Sequence, residues 1–219
     1  MKTKLLVSGL ILTISTQVFA SPVSTQDKAD QLLTAIETDN VFLVDSLVRY
    51  GIDPNYNTSL YNMTPLMYAV DNGSVDVVER LIDIGSNVDV ADNFGTTPLI
   101  QAIKNNRKDV ASLLIKKSRN IDMRDDKGLS ALHYAAKQGD EVTFKQILKR
   151  GGNLKAVDNS GNNALFYAIA GRNKEIVNRL ISMKYFDLAH TNRSGENALK
   201  IAERYGLNDV ATRISRGRN

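Results

Sequence analysis

The feature of this 219-residue chain that most restricts its fold is a segment that returns about every 33 residues. Tetrapeptides of the same character begin at positions 64, 97, 130 and 163, and one more begins at 197 after a step of 34. Each has Thr, Ser or Asn first, Pro or Ala second and Leu third; they are Thr64–Met67, Thr97–Ile100, Ser130–His133, Asn163–Phe166 and Asn197–Lys200. A repeat period of about 20–50 residues predicts a solenoid of stacked supersecondary units rather than a globular fold around one central core.

A second group of apolar residues follows each tetrapeptide at helical spacing. In the unit that begins at Thr97 these residues are Val110, Ala111, Leu114 and Ile115, and the other copies repeat the pattern i, i+1, i+4, i+5. A single helix cannot bury such a stripe alone, so we expect it to be buried between neighbouring units. The Thr, Ser or Asn that opens each tetrapeptide is predicted to cap the first helix of its unit, because its side chain can accept a bond from an unpaired backbone amide.

The Thr-Pro-Leu segments, their spacing and the glycines Gly95, Gly128, Gly161 and Gly195 resemble the ankyrin repeat over about residues 25–216. The resemblance implies an all-α solenoid of about six helix-turn-helix units with short β-hairpin-like turns. We predict a single domain over residues 21–219, with polar units capping both ends. Its parts are an N-terminal cap at 25–57, repeats at 58–91, 92–124, 125–157 and 158–191, and a C-terminal cap at 192–219.

Residues 1–20 have the composition of a signal peptide. Two lysines precede an apolar run over residues 5–14. Val18-Phe19-Ala20 then places small or medium-sized residues at the two positions that signal peptidase recognises, so we predict cleavage after Ala20. The alternative is an N-terminal membrane anchor, but this run is shorter than the roughly 20 residues that cross a bilayer. We therefore expect an exported bacterial protein in the periplasm, with no membrane association after cleavage.

Charge and cysteine content exclude several classes of function. Loss of Lys2 and Lys4 with the leader takes the 28 basic residues to 26 against 24 acidic ones, a balance that does not favour a polyanionic partner. Basic side chains cluster in one repeat, but acidic neighbours dilute them, and we interpret them as a solvated face; they are Lys104, Arg107, Lys108, Lys116, Lys117 and Arg119. We therefore predict no nucleic-acid partner. The chain has no cysteine, so it can form neither disulfides nor thiolate metal sites.

The sequence contains no arrangement typical of catalysis or metal binding. Of its two histidines, His190 has only Asp187 nearby, and one histidine with one carboxylate does not form a metal site. His133 stands in a Thr-Pro-Leu-His-like segment, and the resemblance implies that it braces adjacent turns. Three aspartates follow the 33-residue period, and we interpret them as turn residues that bond the backbone; they are Asp92, Asp125 and Asp158. We predict no catalytic residue, no cofactor and no metal ion.

In ankyrin proteins, partners contact the tips of the turns and the exposed face of the first helices. The resemblance implies tip contacts at Leu60, Tyr61, Met63, Asn93, Phe94, Thr96, Asp126, Lys127 and Leu129, followed by Asn159, Ser160 and Asn162. On the first helices it implies contacts at Asp71, Asn72, Lys104, Asn105, Lys137 and Gln138.

Among these positions we single out Tyr61 and Phe94, because aromatic residues dominate interface energies. The alternative for Phe94 is packing along neighbouring tips. One tyrosine recurs at the same position of several first helices, and we interpret this tyrosine column as packing residues; its members are Tyr68, Tyr134 and Tyr167.

The chain is also similar to small exported bacterial ankyrin proteins, some of which protect cells from cell-wall hydrolases. This similarity implies a monomeric periplasmic protein that binds and inhibits one folded exported partner, with a peptidoglycan hydrolase as the main candidate. Two alternatives remain open. One is a non-inhibitory periplasmic scaffold for stress defence or envelope assembly, and the other is a secreted effector that binds a host protein.

Overall fold

The computed structural model describes residues 25–57, 61–183 and 186–216. Within these ranges the chain forms twelve helices, arranged as six successive pairs. They are α1 (Thr25–Glu37), α2 (Val41–Arg49), α3 (Pro65–Asn72), α4 (Val75–Asp83), α5 (Pro98–Lys104), α6 (Lys108–Lys117), α7 (Ala131–Gln138), α8 (Glu141–Lys149), α9 (Ala164–Ala170), α10 (Lys174–Ser182), α11 (Ala198–Arg204) and α12 (Asn208–Arg216). The predicted signal peptide at residues 1–20 lies outside the described residues. The all-α solenoid that the resemblance to the ankyrin repeat implied is confirmed.

The first helix of each repeat begins at the predicted capping residue. The N-caps of α3, α5, α7, α9 and α11 are Thr64, Thr97, Ser130, Asn163 and Asn197. At α5, the Thr97 hydroxyl accepts a hydrogen bond from the amide of Ile100 at 3.2 Å. Pro98 follows in the first turn, where its missing amide proton costs nothing. Local sequence therefore determines where each first helix starts.

Equivalent helices stack on one another along the array. The first helices pack in the order α1, α3, α5, α7, α9 and α11, while α2 packs on α4, α4 on α6, α6 on α8, and α10 on α12. Alanines at the contact between first helices are fully buried and allow close approach; they are Ala69, Ala102, Ala135 and Ala168. The predicted stripe of α6 is buried, and the stripes of the other second helices are buried or partly buried. The core is continuous from Leu32 to Ile214.

The last unit has the two-faced character expected of a cap. Helix α12 buries Val210, Ala211 and Ile214, whereas its arginines Arg213 and Arg216 remain exposed. No further unit covers that polar face within the described chain. None of the helices in the described residues is long and apolar enough to cross a bilayer.

The turns between repeats are held by aspartate side chains. One carboxylate oxygen of Asp92 accepts hydrogen bonds from the amides of Phe94 and Thr96, both at 2.8 Å. Asp125 and Asp158 make the same pair of bonds in their own repeats, which confirms their interpretation as turn residues. Gly95 has a φ of +72°, and a Cβ atom there would lie 2.9 Å from the Cα atom of Asp125. The tip therefore requires glycine for both its conformation and its close contact.

His133 is fully buried and links two repeats. Its Nδ1 accepts a hydrogen bond from the Ser130 amide at 3.1 Å, and its Nε2–H donates to the Ala156 carbonyl of the next turn at 3.1 Å. This geometry confirms the bracing role that the family resemblance implied. Burial lowers the pKa of His133, and it outweighs the opposing effects of the Ala156 carbonyl and the Asp158 carboxylate.

We expect His133 to make the stability of the protein depend on pH. Because its pKa is lowered in the folded state, the unfolded chain binds the proton first as pH falls. The stabilisation is therefore complete above a pH of about 6.5, the usual histidine pKa, and is lost as pH falls below it, by up to about 1.4 kcal/mol per unit. His133→Gln should flatten this part of the curve of unfolding free energy against pH, measured by urea denaturation. His190→Gln is the control, and an unchanged slope in His133→Gln would contradict the assignment.

Candidate protein-binding surface

The tips of successive repeats are joined by backbone hydrogen bonds. In each case an amide of one tip donates to a carbonyl of the tip before it. The pairs are Asn93 to Tyr61 at 3.1 Å, Asp126 to Phe94 at 2.9 Å, Asn159 to Lys127 at 3.0 Å and Arg193 to Ser160 at 2.9 Å. Because the backbone of one tip fixes the next, their exposed side chains are held in a defined row. We call these exposed tip side chains the tip surface; they include Tyr61, Asn93, Phe94, Asp126 and Lys127.

Two aromatic rings lie side by side at the N-terminal end of the tip surface. Tyr61 is 48% exposed and Phe94 is 56% exposed. Their ring centroids are 6.2 Å apart with planes inclined by 32°, within the usual range for an aromatic pair. Phe94 thus packs along a neighbouring tip, as the alternative interpretation held, and still leaves more than half of its surface to solvent. Tyrosine is among the residue types most enriched at interface hot spots, and aromatic side chains contribute strongly to interface energies.

Most of the predicted contact residues described by the structure are accessible. Lys104, Asn105, Lys137 and Gln138 are exposed along the first helices, and Met63 is half-buried. Leu60 lies outside the described residues.

Two predicted tip contacts need correction, because Thr96 is only 8% exposed and Leu129 only 6%. Both residues follow the tip glycine, where the chain turns back into the stack immediately before the N-cap of the next helix. The family resemblance placed them on the tip, whereas both residues are buried in the stack. Leu129 therefore belongs to the packing of the array and not to its free surface.

Polar side chains of the first helices also bond across the repeats. The Asn105 side-chain amide donates to a carboxylate oxygen of Asp71 at 2.7 Å. The Gln138 side chain donates to the Lys104 carbonyl at 3.1 Å, and the Lys104 ammonium lies 5.7 Å from the centre of the Tyr134 ring. These links fix the orientation of one first helix against the next. The surface that they form is consequently rigid before any partner binds.

A groove of about 560 Å³ lies between the Phe94 tip and helices α5 and α7. Its lining includes four carboxylates and two ammonium groups; the residues are Asp71, Asp92, Phe94, Thr96, Gln101, Lys104, Asn105, Asp125, Asp126, Lys127 and Tyr134. Burial raises the pKa of Asp71, although hydrogen bonds from Gln101 and Asn105 act in the opposite direction. The groove therefore combines excess negative charge with partly desolvated acceptors.

The groove coincides with a break in the tyrosine column. The hydroxyl of Tyr134 donates to Asp125 at 2.6 Å, and that of Tyr167 donates to Asp158 at 2.5 Å. Gln101 occupies the equivalent position one repeat earlier, and its amide donates instead to Asp71 at 2.7 Å. Sequence reasoning did not identify Gln101 as part of a site. The signal was present, since a comparison of the repeats places a shorter polar residue where its neighbours have tyrosine.

Burial and the tyrosine–aspartate hydrogen bonds shift the pKa values of Tyr134, Tyr167 and Asp158. At Asp158, burial opposes ionisation, but hydrogen bonds from the Tyr167 hydroxyl, from Asn162 and from the Ser160 amide outweigh it, and its pKa is lowered. Burial and the bond to Asp125 raise the pKa of Tyr134. These hydroxyls therefore remain protonated donors, and Asp158 remains a charged acceptor. Asp92 lacks such a donor.

Comparison with known proteins agrees with this architecture. The family model for ankyrin repeats (three copies) matches residues 13–92, 32–127, 77–158, 113–188 and 132–217. These overlapping matches cover nearly the whole chain, which therefore belongs to the ankyrin repeat family. In this family the stacked repeats serve as a protein-binding module.

A solved structure gives a more specific similarity. A chain in the structure of the predatory endopeptidase Bd0816 from Bdellovibrio bacteriovorus in complex with immunity protein Bd3460 is 30% identical to this chain, with a TM-score of 0.72. The match covers 85% of this chain and 97% of that one. The similarity thus extends over nearly the whole of the matched chain.

Curated relatives share only part of their length with this chain. A putative ankyrin repeat protein of Fowlpox virus, FPV216, is 36% identical over 69 residues, which is 32% of this chain and 23% of the relative. An ankyrin repeat, SAM and basic leucine zipper domain-containing protein of Loxodonta africana is 34% identical over 73 residues, or 33% of this chain and 15% of the relative. This chain therefore spans less than a quarter of either relative, and the similarity concerns the repeats.

Proposed function

We propose that this chain is a periplasmic immunity protein that binds and inhibits one exported hydrolase, most specifically a peptidase that cleaves peptidoglycan. One observation carries the proposal: the similarity to a chain from an endopeptidase–immunity protein complex extends over 97% of that chain. A similarity of this extent relates two whole repeat arrays. A few shared repeats would support only a general binding function.

The tip surface supplies a physical basis for inhibition. Its backbone is fixed by hydrogen bonds between tips, so little conformational entropy is lost when a partner docks. The Tyr61–Phe94 pair provides apolar area at one end, and the groove provides charge beside it. A specific complex buries roughly 800 Å² on each partner. An array of six helix pairs that covers this area over a substrate cleft would exclude substrate without any chemistry of its own.

The proposed location depends on the N-terminal segment. The lysines and apolar run of residues 1–20 support export, with removal of the leader after Ala20. The mature chain would then meet its hydrolase in the periplasm as a monomer. We propose the same compartment for both partners because an exported inhibitor needs an exported target.

A capture experiment tests the proposed function. Residues 21–219 serve as bait in a periplasmic extract of the source organism, and the Tyr61→Ala/Phe94→Ala double variant is the control. We expect mass spectrometry to identify a cell-wall peptidase that the wild type retains and the double variant does not. Retention of an assembly or stress factor in its place would contradict the inhibitor function and support a scaffold. Retention of the same peptidase by both baits would show that the binding face lies elsewhere.

A further inference from the structure

The groove at Gln101 contains hydrogen-bond acceptors that the fold leaves unused. One carboxylate oxygen of Asp92 holds the turn, and its other oxygen has no partner within the described residues. One oxygen of Asp71 accepts from both Gln101 and Asn105, and its second oxygen has no partner in the same part of the chain. Thr96 is 92% buried and lines the groove, and its hydroxyl makes no hydrogen bond within the described residues. The side-chain oxygen Oε1 of Gln101 is buried and likewise has no hydrogen-bond partner there. Nearly buried polar groups without partners are uncommon in folded proteins and need a reason.

The neighbouring repeats show what normally satisfies this position. At Tyr134 and Tyr167 a phenol hydroxyl reaches across the face and donates to the turn aspartate of the same repeat. Gln101 is too short to do so and turns to Asp71. The repeat at residues 92–124 thus lacks the tyrosine hydroxyl donor that the next two repeats supply from within the chain. We infer that a donor from another molecule takes this place.

We propose that the groove receives an arginine side chain of the bound partner, with Asp92 and Asp71 as acceptors and the Phe94 and Tyr134 rings beside it. The inference rests on the proposed function in one respect, since the arginine is assigned to the inhibited hydrolase. It is independent of that function in another, because the groove and its acceptors belong to this chain alone. A volume of about 560 Å³ accommodates a long side chain together with the backbone that carries it.

The chemistry of the lining favours a cation over an anion. Carboxylates outnumber ammonium groups in the lining by four to two. The charges of Arg107 and Lys104 act on Asp71, but within the described residues neither Lys104 nor Lys127 lies within ion-pair distance of a lining carboxylate.

Arginine fits better than lysine because its planar guanidinium carries five donors and also stacks on aromatic rings. Both requirements are present here, with unused carboxylate oxygens and the exposed Phe94 ring in the same groove, while Lys104 already lies over the Tyr134 ring. An ammonium lacks the planar fork of donors that could reach Asp92 and Asp71 together.

Two substitutions test the groove without disturbing the fold. Gln101→Tyr introduces the residue that stands at the equivalent position in the next two repeats, so it should complete the column and fill the groove. Asp92→Asn removes the charge and keeps the turn, because Asn192 at the equivalent position in the last repeat accepts the same two backbone amides, from Ser194 and Glu196. Asp109→Asn is the matched control, since it removes one exposed carboxylate outside the groove.

The probe is N-acetyl-arginine N-methylamide, added to residues 21–219 and followed by NMR. The neutral isostere N-acetyl-citrulline N-methylamide and the corresponding lysine derivative are added in parallel. We expect saturable shifts of the Phe94 and Thr96 amides and of the Gln101 side-chain amide with the arginine probe, in the millimolar range. Citrulline should give no saturable shift, and lysine should bind several-fold more weakly. Gln101→Tyr and Asp92→Asn should each weaken arginine binding at least tenfold, whereas Asp109→Asn should not change it.

The outcomes separate this inference from the proposed function. Equal shifts with arginine and citrulline, no saturable shift at all, or unaltered binding in both groove variants would each overturn the arginine site. Equal affinity for lysine would overturn the preference for guanidinium. If the arginine probe binds as expected but no hydrolase is captured or inhibited, the groove stands and the proposed function fails. If a hydrolase is inhibited equally by wild type and Gln101→Tyr, the function stands and the arginine site is wrong.

Discussion

Replacing Phe144 with alanine is expected to lower the free energy of unfolding by about 3–5 kcal/mol. Phe144 is fully buried in α8, which packs against both α7 and α6. Its removal leaves a cavity that the stacked helices cannot close without shifting the repeat on each side. Because the total stability of a domain is typically about 5–15 kcal/mol, this loss is a large fraction of it. Urea denaturation followed by circular dichroism measures the effect.

The same helix offers a matched control for the Phe144 substitution. Val142 lies two residues earlier in α8 and is exposed. Val142→Ala should change the unfolding free energy by no more than about 0.5 kcal/mol. Comparable losses from the two substitutions would show that α8 is not buried as described.

The second large effect concerns binding. Tyr61→Ala together with Phe94→Ala should weaken the complex by at least about 30-fold, the equivalent of roughly 2 kcal/mol, which is the lower limit for an interface hot spot. The physical reason is the loss of an exposed aromatic pair whose positions are already fixed by the backbone between the tips. Surface plasmon resonance with the captured hydrolase measures the change. Most of it should appear in the dissociation rate.

Two other exposed aromatics provide the control for this binding experiment. Phe42 in α2 and Tyr50 at its C-terminus are exposed, and neither lines the groove or belongs to the tip surface. Phe42→Ala with Tyr50→Ala should leave the affinity unchanged within about twofold, since surface substitutions outside an interface have small effects. Equal losses from the two double variants would mean that general surface hydrophobicity, not the tip surface, drives the association.

The repeat period predicted a solenoid, and the resemblance to the ankyrin repeat implied that its units are helix pairs. The 33-residue step, the capping residues and the apolar stripes are local signals, and each repeat uses them in the same way. Helix starts at Thr97 and Ser130 follow from side chains that can accept a backbone amide, a property visible in sequence. Asn62, which stands where other repeats have glycine, adopts a φ of +59°, as its tolerance of the left-handed region predicts.

The parts of the binding surface that sequence did not predict depend on contacts between repeats. Leu129 was assigned to the tip by the family resemblance, but it is buried in the stack. The groove arises from one substitution, Gln101 in the tyrosine column, whose effect appears only when α5 lies between α3 and α7. Asp92 was correctly interpreted as a turn residue, and its second oxygen became a candidate acceptor only once the missing tyrosine was seen. Burial and unpaired acceptors are properties of the assembled stack.

The proposed function is that the tip surface around Tyr61 and Phe94 blocks a single exported hydrolase. Its most direct test is a titration of the captured peptidase with residues 21–219, with peptidoglycan cleavage measured at each ratio. Turnover is expected to fall linearly and to reach its minimum at one equivalent, and the Tyr61→Ala/Phe94→Ala variant should require a large excess. Full turnover in the presence of a saturating, bound wild-type chain would show that binding does not inhibit the enzyme.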